Sequence, residues 1–192
     1  MHTRIFTLLL ASATVLSAAD RAWTRETVQP FHAGARAVMD LSVGDYRIVQ
    51  GQDDKVKVRW STQHAHDMDQ ARVEMALQGD TLRIKTRGPK DNFKVVIELP
   101  RRTDLDARLS IGQLFVSGLE GNKRLDVNIG EAIVEVPDPK AYRQATASVR
   151  LGDLKATPFG HRQDGFMNRF TWKGEGTFLL QAKVGIGELT FR

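Results

Sequence analysis

Four carboxylates stand at equivalent places in the sequence, each directly after a glycine that closes an apolar-x-apolar triplet. They are Asp45, Glu131, Asp153 and Glu188. If the strands that carry Glu131 and Asp153 stack on each other, these carboxylates lie about 4.8 Å apart, and like charges at that distance need compensation. A bound Ca²⁺ would supply it, and a carboxylate pair also serves glycosidic acid/base catalysis. We favour a third interpretation, in which each acid bonds to backbone amides or pairs with Arg108, Arg150 or Lys183.

A second group of candidate ligands lies in residues 64–69 (HAHDMD). On a strand, residues two apart share a face, so His64 and His66 could hold a metal ion together with Asp67. Exposed His and Asp residues are equally ordinary in loops, and the sequence has no second histidine pair to complete a ligand set. We therefore interpret the segment as a solvated loop and expect no metal site.

The familiar catalytic fingerprints are missing from the sequence. There is no Gly-x-Ser-x-Gly elbow, and Ser117 and Ser148 lie in predicted strands. The segment Gly174-Glu175-Gly176 is interpreted as a turn and not as a phosphate loop. The absence of cysteine excludes disulfides, thiolate metal sites and a thiol nucleophile. The sequence therefore predicts a protein that is not an enzyme and has no cofactor.

Six basic residues alternate with apolar ones on two predicted strands. They are Lys55, Lys57, Arg59, Arg83, Lys85 and Arg87. If the two strands are neighbours, one sheet face carries all six charges and would attract an anionic envelope polymer such as lipopolysaccharide, teichoic acid or extracellular nucleic acid. The alternative is that the charges keep exposed strands soluble and block edge pairing. Trp60 falls on the inward phase, so no aromatic ring interleaves with the charges and no specific nucleic-acid partner is expected.

The elements that must position these residues are those of an all-β protein. Apolar and polar residues alternate over short runs that end at Gly, Asp, Asn or Pro, which is typical of strands. Residues 73–84 predict a hairpin with a turn at Gln-Gly-Asp, and residues 95–99 predict a strand that Pro100 ends. A weak helical pattern over residues 67–76 is better interpreted as a loop followed by a strand.

Five segments share the pattern apolar-x-apolar-Gly-polar. Their glycines are Gly44, Gly112, Gly130, Gly152 and Gly187. Glycine adopts a positive φ or permits close backbone approach at little cost, so each of these positions predicts a corner in a strand. We expect both apolar residues of each triplet to face inward, since stacked strands can then share one core.

The spacing of these corners favours a β-solenoid. Gly130 follows Gly112 by 18 residues and Gly152 follows Gly130 by 22, which is about one solenoid turn each. The 35 residues from Gly152 to Gly187 leave room for an extra strand pair around residues 170–180. The alternative fold is a β-sandwich whose strands happen to contain glycine.

The start of the chain predicts export. Residues 1–19 have a basic start, an apolar run over 5–16 and small residues at 17–19, which is the pattern of a cleaved signal peptide. Residues 20–35 are predicted to form an N-terminal arm that docks as an edge or cap, and residues 36–192 to form one domain. No later stretch is long and apolar enough to span a membrane, so we expect the periplasm or the cell surface.

Three consecutive segments carry a family resemblance. Residues 95–100 (VVIELP), 105–112 (LDARLSIG) and 115–121 (FVSGLEG) resemble the bacterial adhesin-like domains of unknown function. That resemblance covers about residues 36–192 and implies a signal peptide, a strand that ends in proline and a β-solenoid with serine-glycine-acidic corners. The chain departs from the pattern where Ile or Leu precedes the corner glycine and where Gln113 replaces an acid. The resemblance implies no catalytic residue.

These observations lead to three hypotheses about function. The first is an exported, non-enzymatic cell-envelope protein that acts as a binding or adhesion surface toward an envelope polymer or a protein. The second is a carbohydrate-active β-solenoid enzyme that uses the corner carboxylates. The third is a structural or regulatory envelope protein without a ligand of its own.

Overall fold

A computed structural model describes residues 23–192, and the predicted signal peptide of residues 1–19 lies outside them. The described strands form one twelve-stranded sheet. They are β1 (Trp23–Pro30), β2 (Arg36–Gln50), β3 (Lys55–Thr62), β4 (Arg72–Gln78), β5 (Thr81–Arg87), β6 (Lys94–Leu99), β7 (Asp104–Val116), β8 (Lys123–Val134), β9 (Tyr142–Ala156), β10 (His161–Gln163), β11 (Phe166–Lys173) and β12 (Phe178–Phe191). One short α-helix, α1 (Ala65–Gln70), lies between β3 and β4 within this part of the chain, and two 3-10 turns, Pro139–Ala141 and Thr157–Phe159, flank β9. No helix among residues 23–192 is long and apolar enough to cross a membrane.

Five long strands pair in parallel and in register at the centre of the sheet, in the order β2-β7-β8-β12-β9. Their corner glycines are cross-strand partners, and they run in the order Gly44, Gly112, Gly130, Gly187 and Gly152. Strand β12 therefore lies between β8 and β9. The expectation that Gly130 and Gly152 mark successive turns is wrong, because the last strand of the chain inserts between them.

Each long strand turns at its glycine, and the turn changes which residues face the core. In β7, Leu105, Ala107 and Leu109 are buried before Gly112, whereas the buried phase after it shifts to Leu114. The five glycines have φ between +126° and +151°, a conformation that side-chain-bearing residues rarely adopt. The reversal of pleat phase at the glycine lets both halves of one strand bury side chains on the same side.

The predicted inward orientation of both apolar residues in each triplet is wrong for the second residue. The first one is buried, as at Leu109, but the residue before the glycine is exposed, as at Ile111. The physical reason is the positive φ: the chain already turns at that residue, so its side chain projects from the outside of the corner.

Glycine is also required at the corner by the neighbouring strand. A Cβ at Gly130 would overlap the carbonyl of Gly112, and a Cβ at Gly187 would overlap the carbonyl of Gly130. Consecutive corners therefore stack backbone on backbone, and the row leaves no room for a methyl group.

A short connection returns the chain from the end of β7 to the start of β8. Within it, Glu120 N donates to Arg101 O at 2.7 Å, and Thr103 N donates to Glu120 O at 3.0 Å. This segment thus pairs with the chain that precedes β7.

Before β7, two separate strands take the places of the two halves of a bent strand. Strand β5 pairs with the first half of β2 through Arg36–Asp40, and β6 pairs with its second half from Asp45 onward. The predicted hairpin is confirmed as β4 and β5, with Gln78 opposite Thr81. Residues 65–70, interpreted as a loop, instead form α1, which buries Met68 against the core.

Antiparallel strands cover the outer edges of the parallel strands. The N-terminal arm docks as an edge strand, with β1 antiparallel to β3. At the other end, β10 and β11 both pair antiparallel with β9. Two extra strands are therefore present between Gly152 and Gly187, but they lie at residues 161–173 and not around residues 170–180. Covered edges protect the long parallel strands from pairing with other chains.

Candidate binding surface at the glycine corner

The outside of the corner carries a continuous row of exposed apolar side chains. Its members are Ile111 (43% exposed), Ile129 (39%), Ile186 (45%), Leu151 (49%) and Phe166 (69%). They are successive cross-strand partners on β7, β8, β12, β9 and β11. With about 4.8 Å between strands, the row extends over about 19 Å. We call these five residues the corner ridge.

Sequence reasoning missed the corner ridge because it assigned Ile111, Ile129, Leu151 and Ile186 to the core and made no prediction for Phe166. The signal was present, since an apolar residue precedes every corner glycine although the resemblance implies serine or threonine there. Alternation of period two places the residue before the glycine inward. The positive φ of the glycine turns that residue outward, and a simple alternation pattern does not account for this φ.

A row of mostly acidic side chains lies on the other side of the glycines. Its members, in spatial order, are Asp45, Gln113, Glu131, Glu188 and Asp153. Glu131 and Asp153 were expected on adjacent strands, and this is wrong because Glu188 lies between them. The glycines form the floor of an open trough of about 610 Å³ between this acidic row and the corner ridge.

The charge of the acidic row is partly compensated by contacts that the sequence did not predict. Lys155 Nζ donates to Glu188 Oε1 at 2.7 Å, and the Thr190 hydroxyl donates to the same oxygen at 2.9 Å. The hydrogen bond from Lys155 lowers the pKa of Glu188 and raises that of Lys155. Gln113 Nε2 donates to Glu131 Oε2 at 3.2 Å.

The expected ion-pair partners Arg108, Arg150 and Lys183 form no ion pair with any described residue. Among the described residues, no three His, Cys, Asp or Glu side chains are grouped as a bound metal ion would require.

A basic pocket opens beside the corner ridge, on the outer face of the strand halves that precede the corner glycines. Three cationic side chains line it, Arg150 on β9, Arg169 on β11 and Lys183 on β12, and its volume is about 320 Å³. Asp126 is the acidic residue of its lining, and Asn128 and Ser148 add polar groups. We refer to this cavity as the basic pocket.

The six basic residues predicted to share one face lie on two separate parts of the sheet. Strand β3, with Lys55, Lys57 and Arg59, pairs with β1 and β6, whereas β5 pairs with β2 and β4. The condition that β3 and β5 are neighbours is therefore not met. The reason is the bend in β2, whose two halves carry β5 and β6 separately.

The two basic strands also differ in how their charges are paired. On β3, Lys57 Nζ lies 3.0 Å from Glu98 Oε1, and Arg59 Nη2 lies 2.9 Å from Glu26 Oε2. On β5, Arg83, Lys85 and Arg87 form no ion pair with any described residue. Lys55 on β3 likewise forms no ion pair with a described residue, so the cations open to a polyanion are Lys55 and the three on β5.

The histidine segment lies at the start of α1 and not on a strand. The rings of His64 and His66 stack with centroids 5.6 Å apart, and His66 Nε2 lies 3.2 Å from Asp67 Oδ1. His64 and His66 are exposed to solvent, so their rings lie on the surface of the described structure and not in an enclosed ligand set.

Comparison with known proteins places the fold beside adhesin-like structures. No protein-family model and no curated protein matches this sequence. The chain is similar to the crystal structure of a proposed cell adhesion protein from Clostridium sporogenes, with 10% identity, a TM-score of 0.55 and coverage of 88% of this chain and 99% of the other. The crystal structure of a proposed adhesin from Bacteroides fragilis shows 11% identity, a TM-score of 0.34 and coverage of 88% and 97%. At these identities the likeness to the first structure concerns the fold alone.

Proposed function

We propose that this chain is an exported, non-enzymatic protein of the cell envelope that binds another envelope component through the corner ridge. The fold that presents the ridge is a short β-solenoid, in which each bent strand is one side of a coil and the coils stack in the spatial order of the sheet. The in-register glycines and the stacked connection between β7 and β8 support this description.

The corner ridge is the observation that carries this proposal. Single exposed apolar residues are ordinary on a protein surface, but a contiguous row of them marks an interaction site. Here five such side chains occupy the same position on five neighbouring strands. A row with a fixed repeat suits many weak contacts along an extended partner.

A solved structure with a similar fold supports the same class of function. The protein from Clostridium sporogenes, which shares the fold, is described as a proposed cell adhesion protein. A surface role also fits the predicted signal peptide and the stable, edge-covered sheet. The contacts of the acidic row support the non-enzymatic part of the proposal. Glu188 lies between Glu131 and Asp153, and it already accepts hydrogen bonds from Lys155 and Thr190.

The test is binding of the purified chain, residues 20–192, to isolated bacterial cell envelopes by co-sedimentation. Ile129→Thr combined with Ile186→Thr interrupts the middle of the corner ridge, and we expect it to reduce the bound fraction strongly. The matched control is Val28→Thr, because Val28 is 51% exposed on β1, away from the corner. Equal binding by the ridge variant, the control and the wild type contradicts the proposal.

A further inference from the structure

The basic pocket and the corner ridge are parts of one continuous surface. Arg150 directly precedes Leu151, and Gly185 directly precedes Ile186. Along each of these strands the pocket residues are therefore followed at once by a ridge residue. On β11, the pocket residue Met167 follows the ridge residue Phe166 and is itself 54% exposed. A cationic cavity therefore opens directly onto an apolar row.

We propose that this surface binds a single-chain anionic amphiphile, with its headgroup in the basic pocket and its hydrocarbon chain along the corner ridge. This inference rests on the proposed function, because it names the ligand class of the same binding surface.

The charge of the basic pocket selects an anionic headgroup. Arg150, Arg169 and Lys183 form no ion pair with another described residue, so all three cations are open to a ligand. Lys183 is the cross-strand partner of Asp126, yet the two side chains do not pair. Guanidinium groups bind phosphate or carboxylate with two parallel hydrogen bonds, which makes Arg150 and Arg169 suitable headgroup contacts.

A glycine on β12 lies under one of the pocket cations. By register, Gly185 occupies the place where β8 has Asn128 and β9 has Arg150. A Cβ at Gly185 would overlap the carbonyl of Asn128 and would lie 3.1 Å from Arg150 Nη2. The Arg150 guanidinium therefore lies over bare backbone, and no side chain from β12 separates it from the pocket.

The dimensions and charges favour one amphiphile molecule over a membrane surface. The ridge of about 19 Å matches a single extended hydrocarbon chain, and the pocket of about 320 Å³ holds one headgroup. A flat bilayer of anionic lipids would also have to approach the acidic row on the other side of the glycines, including Glu131 and Asp153. Like-charge repulsion opposes that approach but does not affect an uncharged chain.

The experiment is titration calorimetry with dodecyl phosphate below its critical micelle concentration. We expect saturable binding of one molecule, about twofold tighter for each added methylene in an alkyl phosphate series, because the open ridge removes about half of each methylene from water. Inorganic phosphate and dodecyltrimethylammonium should both bind far more weakly, since each lacks one of the two contacts.

Two variants separate the headgroup contact from the chain contact. Arg150→Gln combined with Lys183→Gln should weaken the binding of dodecyl phosphate by about tenfold or more, because two charge-assisted hydrogen bonds are lost. Ile129→Thr combined with Ile186→Thr should instead flatten the dependence on chain length. The control is Arg83→Gln, which removes an exposed cation on β5 outside the pocket. Circular dichroism of each variant checks that the fold is retained.

The outcomes distinguish this inference from the proposed function. No binding of dodecyl phosphate, or binding that both variants leave unchanged, overturns the inference. So does binding to phosphatidylglycerol vesicles without binding to monomeric dodecyl phosphate. If the ridge variant still loses capture by envelopes in that case, the proposed function stands with a different ligand. If envelopes do not retain the wild type either, both fail.

Discussion

Lys155 Nζ lies 2.7 Å from Glu188 Oε1, and this ion pair joins β9 to β12 within the acidic row. The two side chains lie diagonally across the strand pair, since Glu188 is the register partner of Asp153 and Lys155 that of Thr190. The lysine thus places a positive charge where three acidic positions follow one another, and it makes the in-register stacking of these strands compatible with their charge.

Replacing Glu188 by Gln should lower the thermal midpoint of unfolding slightly, and Asp153→Asn should not. The pKa of Glu188 is lowered from its usual 4.5 by the hydrogen bond from Lys155. Its contribution is therefore present above pH 4.5 and is lost as the pH falls through the lower folded-state value. The difference in thermal midpoint between wild type and Glu188→Gln should thus be visible at pH 7 and shrink as the pH falls below 4.5. A difference that stays constant below pH 4.5 contradicts this explanation.

The corner row should tolerate no side chain at its glycines. Gly130→Ala places a Cβ against the Gly112 carbonyl at a φ of +133°, and we expect a loss of about 3 kcal/mol or more in the free energy of unfolding. The control is Gly79→Ala in the hairpin turn, where φ is +56° and no atom lies within 4 Å of the new Cβ. That change should cost only about 1 kcal/mol. Urea denaturation measures both, and similar losses in the two variants refute the stacking argument.

Local pattern predicted the strands and corners of this protein well, because both depend on neighbouring residues. The alternation at Val56, Val58 and Trp60 places these side chains inward, and all three are buried. The glycines were predicted as corners for a reason that the structure confirms, their positive φ. The outward turn of Ile111 and its equivalents followed from the same φ but was not predicted, since alternation was extended through the glycine.

The order of the strands could not be predicted from the same information. The insertion of β12 between β8 and β9 depends on how the 35 residues after Gly152 return across the sheet. Those residues form β10 and β11 on the outer edge of β9, so β12 takes the other edge of β9 and pairs on its second side with β8. This competition between edges decides which carboxylates are neighbours, and no local pattern contains it.

Retention on a heparin column should depend on β5 more than on β3. Arg83→Glu combined with Arg87→Glu reverses two cations without an ion pair on β5, and we expect clearly earlier elution in a salt gradient. Lys57→Glu combined with Arg59→Glu reverses charges already paired with Glu98 and Glu26, and the shift should be smaller. Equal shifts would mean that the ion pairs do not reduce access to the polyanion. If the heparin column does not retain the wild type, the six basic residues serve solubility and do not bind a polyanion.

A buried lysine lies in the core row of the parallel strands. Lys123 on β8 is 3% exposed and faces inward between Leu105 and Leu180. Its Nζ donates to Tyr142 Oη at 2.9 Å and to the carbonyl of Gly121 at 3.3 Å. Burial lowers the pKa of Lys123 to about 8 and raises that of Tyr142 to about 12.

Lys123→Met should stabilise the protein in a pH-dependent way. The unfolded chain holds the lysine proton up to pH 10.5 and the folded chain only to about pH 8, so the wild type carries the full cost of the buried charge below pH 8. That cost, a few kcal/mol in order of magnitude, disappears as the pH rises toward 10.5. The advantage of Lys123→Met in urea denaturation should therefore be greatest at pH 7 and shrink by pH 9.5, on top of a constant loss from the unpaired Tyr142 hydroxyl. The control is Lys85→Met, which replaces an exposed lysine on β5 by the same residue. A constant difference between Lys123→Met and wild type from pH 7 to pH 9.5 contradicts the buried charge.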